Sequence, residues 1–320
     1  MRRLLLAAVV ALAVAPAARA DGQMPFATQG GSGILGADGS TRYVAVGANA
    51  DTVVEAVQTK DGSLRNATTL LGAYGIPAIT YDIPAGLSAD GRTLVVANPT
   101  LDPVSRFIVL DPRTLRMRDA FALPGSFAFD ALSPDGSRLY LIQHTQALDG
   151  DYAHYVVRAY DLRTDTLLPG RIADRTQKSW VMNGYPLTRV TSADGRWVYT
   201  LYQNGGDGYP FVHALDTVRG VAHCIGLPLE SSNGVYNLVL SLRNGGRTLA
   251  VGWKSGRPWL DVATGTWAIT PAHRATPWGW IAAGLGVVAI GLLLLGLRLR
   301  QKVKQQPRDE RRLAEREVVV

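Results

Sequence analysis

Apolar and polar positions alternate in short runs along most of the chain, and one arrangement of them returns five times. The copies read ILGADGSTRYVAVGA from Ile34, GLSADGRTLVVAN from Gly86, ALSPDGSRLYLIQ from Ala131, VTSADGRWVYTLY from Val190 and SLRNGGRTLAVGW from Ser241. Each has a short apolar approach, a turn centred on Asp-Gly or Gly-Gly, and a return strand rich in Val, Leu, Tyr and Trp. Glycine after Asp supplies the positive φ of a tight hairpin turn. The β-branched and aromatic residues around it fit a pleated surface. Anchored on Asp38, Asp90, Asp135, Asp194 and Gly245, the copies lie 52, 45, 59 and 51 residues apart.

A second element follows within each period: FIVLDPRT from Phe107, YVVRAYDLRTDT from Tyr155, FVHALDTVRG from Phe211 and WLDVATGTW from Trp259, with a looser VVEAVQTKDGSL from Val53. Each leads into another strand-like piece, such as RMRDAFALP from Arg116. One period therefore predicts four antiparallel strands: approach, return, third and outer. That unit, repeated at this spacing, is the sequence form of a β-propeller blade. No segment of the middle sustains a 3.6-residue apolar period, which argues against βαβ units and helical solenoids. The expected fold is all-β, a propeller of about five blades of four antiparallel strands over residues 21–270, plus one C-terminal transmembrane helix.

The two ends follow a different pattern. Residues 1–20, MRRLLLAAVVALAVAPAARA, have Arg2 and Arg3, an apolar stretch, and small residues at Ala18 and Ala20. This is the three-part form of a secretory signal peptide with cleavage after Ala20. Residues 278–297, WGWIAAGLGVVAIGLLLLGL, run without a charge from Trp278 to a close at Leu297. At about 1.5 Å of rise per residue such a helix spans a hydrocarbon layer of about 30 Å. Trp278 and Trp280 fit one interface, and Arg298, Arg300, Lys302 and Lys304 follow the other end. By the positive-inside rule residues 298–320 form a basic cytoplasmic tail, residues 271–277 a short stalk, and the propeller lies outside the cell membrane.

Net charge bears on partners. The chain carries +7 overall, but the middle, residues 21–297, holds 22 Lys and Arg against 22 Asp and Glu. The basicity belongs to the ends, so the folded part presents no net field for phosphate, and nucleic acid is not an expected partner. One cysteine in 320 residues makes no internal disulfide. No Cys/His cluster has zinc-ligand spacing, and one carboxylate per turn falls short of the six to eight oxygens calcium takes. Neither a metal nor a cofactor is expected.

The string LSPDGSRLYLIQ, followed by VRAYDLRTDTLLPGRI, resembles the repeats of the YVTN and lactonase-like β-propellers, a branch of the WD40-like superfamily. The resemblance covers most of residues 30–270; its motif is a blade motif, which implies fold rather than chemistry. FAFDALSPDGSRLYLIQ, MNGYPLTRVTSADGRWVYTLYQ and PFVHALDT look like secreted, membrane-anchored propeller proteins of high-GC Gram-positive bacteria. That likeness implies a cell-surface location and no catalytic assignment.

Candidate site residues come from register. Asp130 and Arg189 each precede their turn Asp by five residues, on strands that are otherwise apolar, and Asn237 falls near the same place. His213 takes the third-strand position where other blades carry Ile108 and Arg158. One reading makes Asp130, Arg189, His213 and Asn237 a polar cluster at the channel mouth that binds a ligand. The other makes Asp130 and Arg189 a pair that fixes adjacent blades. His223 and Cys224 are neighbours in a strand, so their side chains point to opposite faces. The functional expectation is a membrane-anchored binding module for a partner protein or cell-envelope component. The alternatives are a lactonase-like or lyase-like enzyme at the mouth, and signal relay through the tail.

Overall fold

The computed structural model describes residues 26–80, 83–99, 103–145, 154–176, 182, 184–203, 209–229 and 232–272. The expected signal peptide, the transmembrane segment, the tail and all of the stalk but Pro271 and Ala272 lie outside them. Among the described residues no helix is long and apolar enough to cross a membrane.

The order of strands follows the repeats. A short strand β1 (Phe26–Thr28) precedes blade one, which is β2 (Ile34–Leu35), β3 (Thr41–Ala48), β4 (Asp51–Gln58) and β5 (Leu64–Leu70). Blade two holds β6 (Ile76–Thr80), β7 (Ile83–Pro84), β8 (Leu94–Ala97), β9 (Val104–Leu110) and β10 (Met117–Pro124). Its inner strand is interrupted: β6 and β7 form a three-stranded sheet with β1, while β8, β9 and β10 form another, and the isolated bridges Gly75–Ala97 and Leu87–Leu94 connect the inner segments to β8. Blade three is β11 (Phe127–Leu132), β12 (Arg138–His144), β13 (Tyr155–Asp161) and β14 (Thr166–Leu167). Blade four is β15 (Pro186–Thr191), β16 (Trp197–Tyr202), β17 (Phe211–Asp216) and β18 (Val221–Gly226). Blade five is β19 (Leu238–Arg243), β20 (Thr248–Trp253), β21 (Pro258–Ala263) and β22 (Ile269–Pro271). The architecture is all-β and propeller-like, with five repeats giving five blades among the described residues. The additional strand β1 pairs antiparallel with β6 of blade two.

Burial explains the order of packing. Side chains of consecutive blades interdigitate in four apolar seams, blade one with two, two with three, three with four and four with five. Several strands of the middle blades are therefore covered on both faces: every residue of β8, β11 and β17 is buried, whereas the outer strands β10 and β18 are partly exposed. Blade one alternates instead, with buried and partly exposed positions taking turns along β3 and β4. Among the described residues no apolar cluster joins blade five to blade one.

Because the strands are antiparallel, the first-to-second and third-to-fourth strand turns gather at one end of the blades. The strand ends Ala97, His144, Tyr202 and Gly226, from which longer connections leave, lie at the other, whereas the chain after β14 follows the edge of β13, with Leu168 bonded to Ala159 and Ile172 and Met182 bridged to Val157 and Tyr155. At the turn end the repeats stack on one another. The Asp90 N–H donates to the Pro134 carbonyl at 3.0 Å, linking the turns of blades two and three. Within the SxDG turns the serine hydroxyl binds the aspartate and accepts from the backbone N–H five residues on, as Ser133 does with Asp135 (2.7 Å) and Arg138 (2.9 Å).

Candidate functional site

Asp130 lies on β11 where the register shifts between Phe129 and Ala131, so a bulge turns its side chain toward blade four. Arg189 on β15 reaches across the seam to meet it. The guanidinium donates to both the Asp130 carbonyl and its Oδ1, and Nε donates to Thr200 Oγ1 at 2.8 Å. Asp130 is 1% exposed and the Arg189 side chain 7%, so this ion pair sits within the wall. A carboxylate and a guanidinium this deeply desolvated hold each other; removing either leaves an uncompensated charge. Thus the structure brings together the first two of the predicted residues.

The row continues outward. Arg189 stands opposite Thr200, Thr200 opposite His213, and His213 opposite Cys224, so all four share the face turned toward blade three. His213 is 1% exposed, and its Nδ1 lies 3.6 Å from the Cys224 sulfur. Burial lowers the imidazole to about 4 and raises the thiol to about 12, so both are neutral near pH 7. A neutral thiol beside a neutral imidazole is a weak hydrogen bond, not an activated nucleophile. Tyr155 and Tyr202 pack over this row with ring centroids 5.6 Å apart, and burial raises both phenols. Asp130 Oδ2 and His213 Nε2 have no hydrogen-bond partner among the described residues, and the two tyrosine hydroxyls interact with each other. Buried polar atoms of this kind are ordinarily met by ordered water.

Strand alternation separates His223 from Cys224. The His223 ring stacks on Trp267 at 4.8 Å and its Nδ1 lies 3.1 Å from Asp174 Oδ2. Burial opposes ionisation of Asp174, but hydrogen bonds from Thr176 and the Cys224 N–H hold its carboxyl below the usual value. Asn237 lies apart: it ends a 3-10 segment (Ser232–Asn237) on blade five, is exposed, and its backbone carbonyl accepts from the Lys254 N–H at 2.7 Å.

Asp130 and Arg189 also border a cavity of about 270 Å³ among the inner strands of blades one to four, near the turn end. Its walls are mostly apolar, including Ile34, Leu87, Phe129 and Val190. His213, Cys224 and Asn237 do not line it. The His213–Cys224 contact, Thr200 and the two tyrosines escaped the sequence reading. Counting outward from the pair Asp216–Val221 that closes the 217–220 turn puts His213 and Cys224 opposite each other, and that is the signal that finds them.

No protein-family model matches the chain. No curated protein matches it. Similar solved structures include the β-propeller domain of Cps50 (Swd1) from Myceliophteria thermophila, at 10% identity and TM-score 0.43, over 73% of this chain and 66% of that one. TolB from Acinetobacter baumannii matches at 14% identity and TM-score 0.40, over 70% of this chain and 51% of that one. The Dos1 propeller matches at 10% identity and TM-score 0.44, over 75% of this chain and 57% of that one. The chain spans less than two thirds of the length of each of the three.

Proposed function

We propose that the chain is a single-pass, membrane-anchored binding module that holds its propeller outside the cell and docks a partner protein or a cell-envelope component. What supports binding over chemistry is the commitment of the polar residues in the seam between blades three and four. Arg189 spends donors on Asp130 and Thr200 within the wall, and His213 and Cys224 are held neutral behind it. The cavity that Asp130 and Arg189 border is lined largely by apolar side chains, a surface suited to seating a ligand or a partner's side chain. Anchoring rests on the sequence of residues 278–304.

Cysteine labelling in intact bacteria tests the topology. Lys60→Cys, on an exposed turn of blade one, is expected to react with a membrane-impermeant maleimide in whole cells, and Gln305→Cys only after lysis. The reverse pattern, or equal labelling of both, overturns the reading. A photo-crosslinking residue at Ala89, on the cavity rim, is expected to give a discrete adduct in living cells that the same residue at Lys60 does not. Absence of that adduct, with turnover of a lactone substrate by the purified chain, would favour the enzyme instead.

A further inference from the structure

A second cavity, of about 460 Å³, opens at the turn end between blades one and two. We propose that it binds a neutral, polyhydroxylated ligand, a sugar or polyol. The inference stands apart from the membrane reading and from the Asp130–Arg189 seam.

Its floor is built from the blade one side of the seam, where Tyr43 is 8% exposed and Ala56 packs beside it, with Leu87 contributed by blade two. Four charged side chains stand around that floor: Asp38 and Asp90 from the Asp-Gly turns of blades one and two, Arg65 from β5, and Arg113 from the turn after β9. Each has unused hydrogen-bonding capacity. Asp38 takes the Ser40 N–H at 2.9 Å on Oδ1 and the Ser40 hydroxyl at 2.5 Å on Oδ2, and each oxygen retains a lone pair. Asp90 takes the Ser88 hydroxyl and the Arg92 N–H on Oδ1, leaving Oδ2 without a donor among the described residues. Arg65 spends Nη1 on Thr41 and Ser40 and Nε on Gln58, leaving Nη2. The Arg113 side chain makes no hydrogen bond or ion pair among the described residues.

All four are exposed residues, and their hydrogen-bonding groups stay open to whatever enters the cavity. Here none of the four forms an ion pair with another among the described residues, although they border one cavity. The set is charge-balanced, with two guanidinium donors facing two carboxylate acceptors. An anion would satisfy the arginines and be repelled by both aspartates, and a cation the reverse. A hydroxyl group accepts from a guanidinium and donates to a carboxylate at once, so a ring of vicinal hydroxyls uses all four. The Tyr43, Ala56 and Leu87 floor offers an apolar surface to the C–H face of such a ligand. The volume lies within the range of small-molecule sites.

The test is calorimetric titration of the full-length chain, purified in a detergent without a sugar headgroup, with glucose, galactose, sucrose and sorbitol, and separately with phosphate and citrate. At least one of the four polyols is expected to bind at one site per chain, weakened at least tenfold in Arg113→Ala and in Arg65→Ala. Both arginines are exposed, so an unchanged melting temperature shows that each variant is folded. The proposal is overturned if no polyol binds, if binding is the same in both variants, or if phosphate or citrate binds through Arg113 more tightly than any polyol.

Discussion

Two glycines of the SxDG turns carry a burden their counterpart in blade one does not. All three adopt positive φ, +68° at Gly39, +66° at Gly136 and +72° at Gly195. A β-carbon at Gly39 would meet nothing within 4 Å, whereas at Gly136 it would lie 2.2 Å from Thr93 Oγ1 and at Gly195 2.4 Å from Ala89 Cβ. Gly39→Ala therefore bears only the backbone penalty, about 1 kcal/mol. Gly195→Ala adds overpacking between the turns of blades four and two, for a total of about 3 kcal/mol. Urea denaturation of the two variants measures the difference, and equal losses would show that the turns do not bear on each other. Histidine 213 gives a second residue-scale prediction. An unfolded histidine titrates near pH 6.5, but the buried one near 4. Between those values the unfolded chain holds a proton that the folded one lacks, so stability is full above about pH 6.5 and falls as the pH drops toward 4, by up to about 3 kcal/mol. The turn carboxylates Asp38 and Asp194, held below their usual value by Ser40 and Ser192, lose their contribution only at still lower pH. His213→Gln is expected to flatten the stability profile between pH 6.5 and 4; an unchanged slope would assign it elsewhere.

At the scale of the element, the seam between blades three and four is held by one strand-to-strand ion pair set in apolar packing. Asp130→Ala strands the Arg189 guanidinium in the wall and is expected to cost about 3–5 kcal/mol. The double variant Asp130→Ala/Arg189→Met removes both charges and is expected to recover most of that loss, which a double-mutant cycle of denaturation midpoints reads directly. If the double variant is as unstable as the sum of the singles, the pair is not the element that joins the blades. This juxtaposition was legible in the sequence because both residues stand five positions before a turn aspartate, and equal distance from equal turns means equal height on neighbouring blades. The turns at Asp38, Asp90, Asp135 and Asp194 were legible for the same reason: a local turn chemistry dictates a local hairpin. The fifth departs, since Asn244 and Gly245 both take positive φ in a short 3-10 turn before β20. What the sequence did not reveal is non-local. Strand β1 is three residues, Phe-Ala-Thr, with no pattern to select β6 as its partner. The aspartate and arginine pairs around the blade one and two cavity come from four separate segments, each an ordinary turn or outer strand when read alone.

For the whole molecule, the sequence of seams predicts how it opens. Four apolar clusters join five blades in series, and each interior blade is clamped on both faces, whereas blade one shows alternating burial and Leu35, Val46 and Leu64 stand exposed on it. Strand β6 of blade two also packs against β15 of blade four, which ties the middle of the stack further, so the terminal blades, with one apolar seam each, open first. Native-state hydrogen exchange of the full chain should therefore find β12 and β16 the slowest strands, with β3, β4, β20 and β21 exchanging sooner. Disrupting the seam between blades four and five, by Leu260→Ala in its packed interior, should speed exchange in β20 and β21 and leave β3 and β4 unchanged. A closed ring behaves differently: loss of one interface leaves every blade still held by another, and exchange rises evenly around the circle. Equal protection of blades one, three and five would therefore mean that blade one is sealed against blade five. The closing contact would then come from segments beyond the four seams, and the molecule would unfold as one unit rather than from its ends.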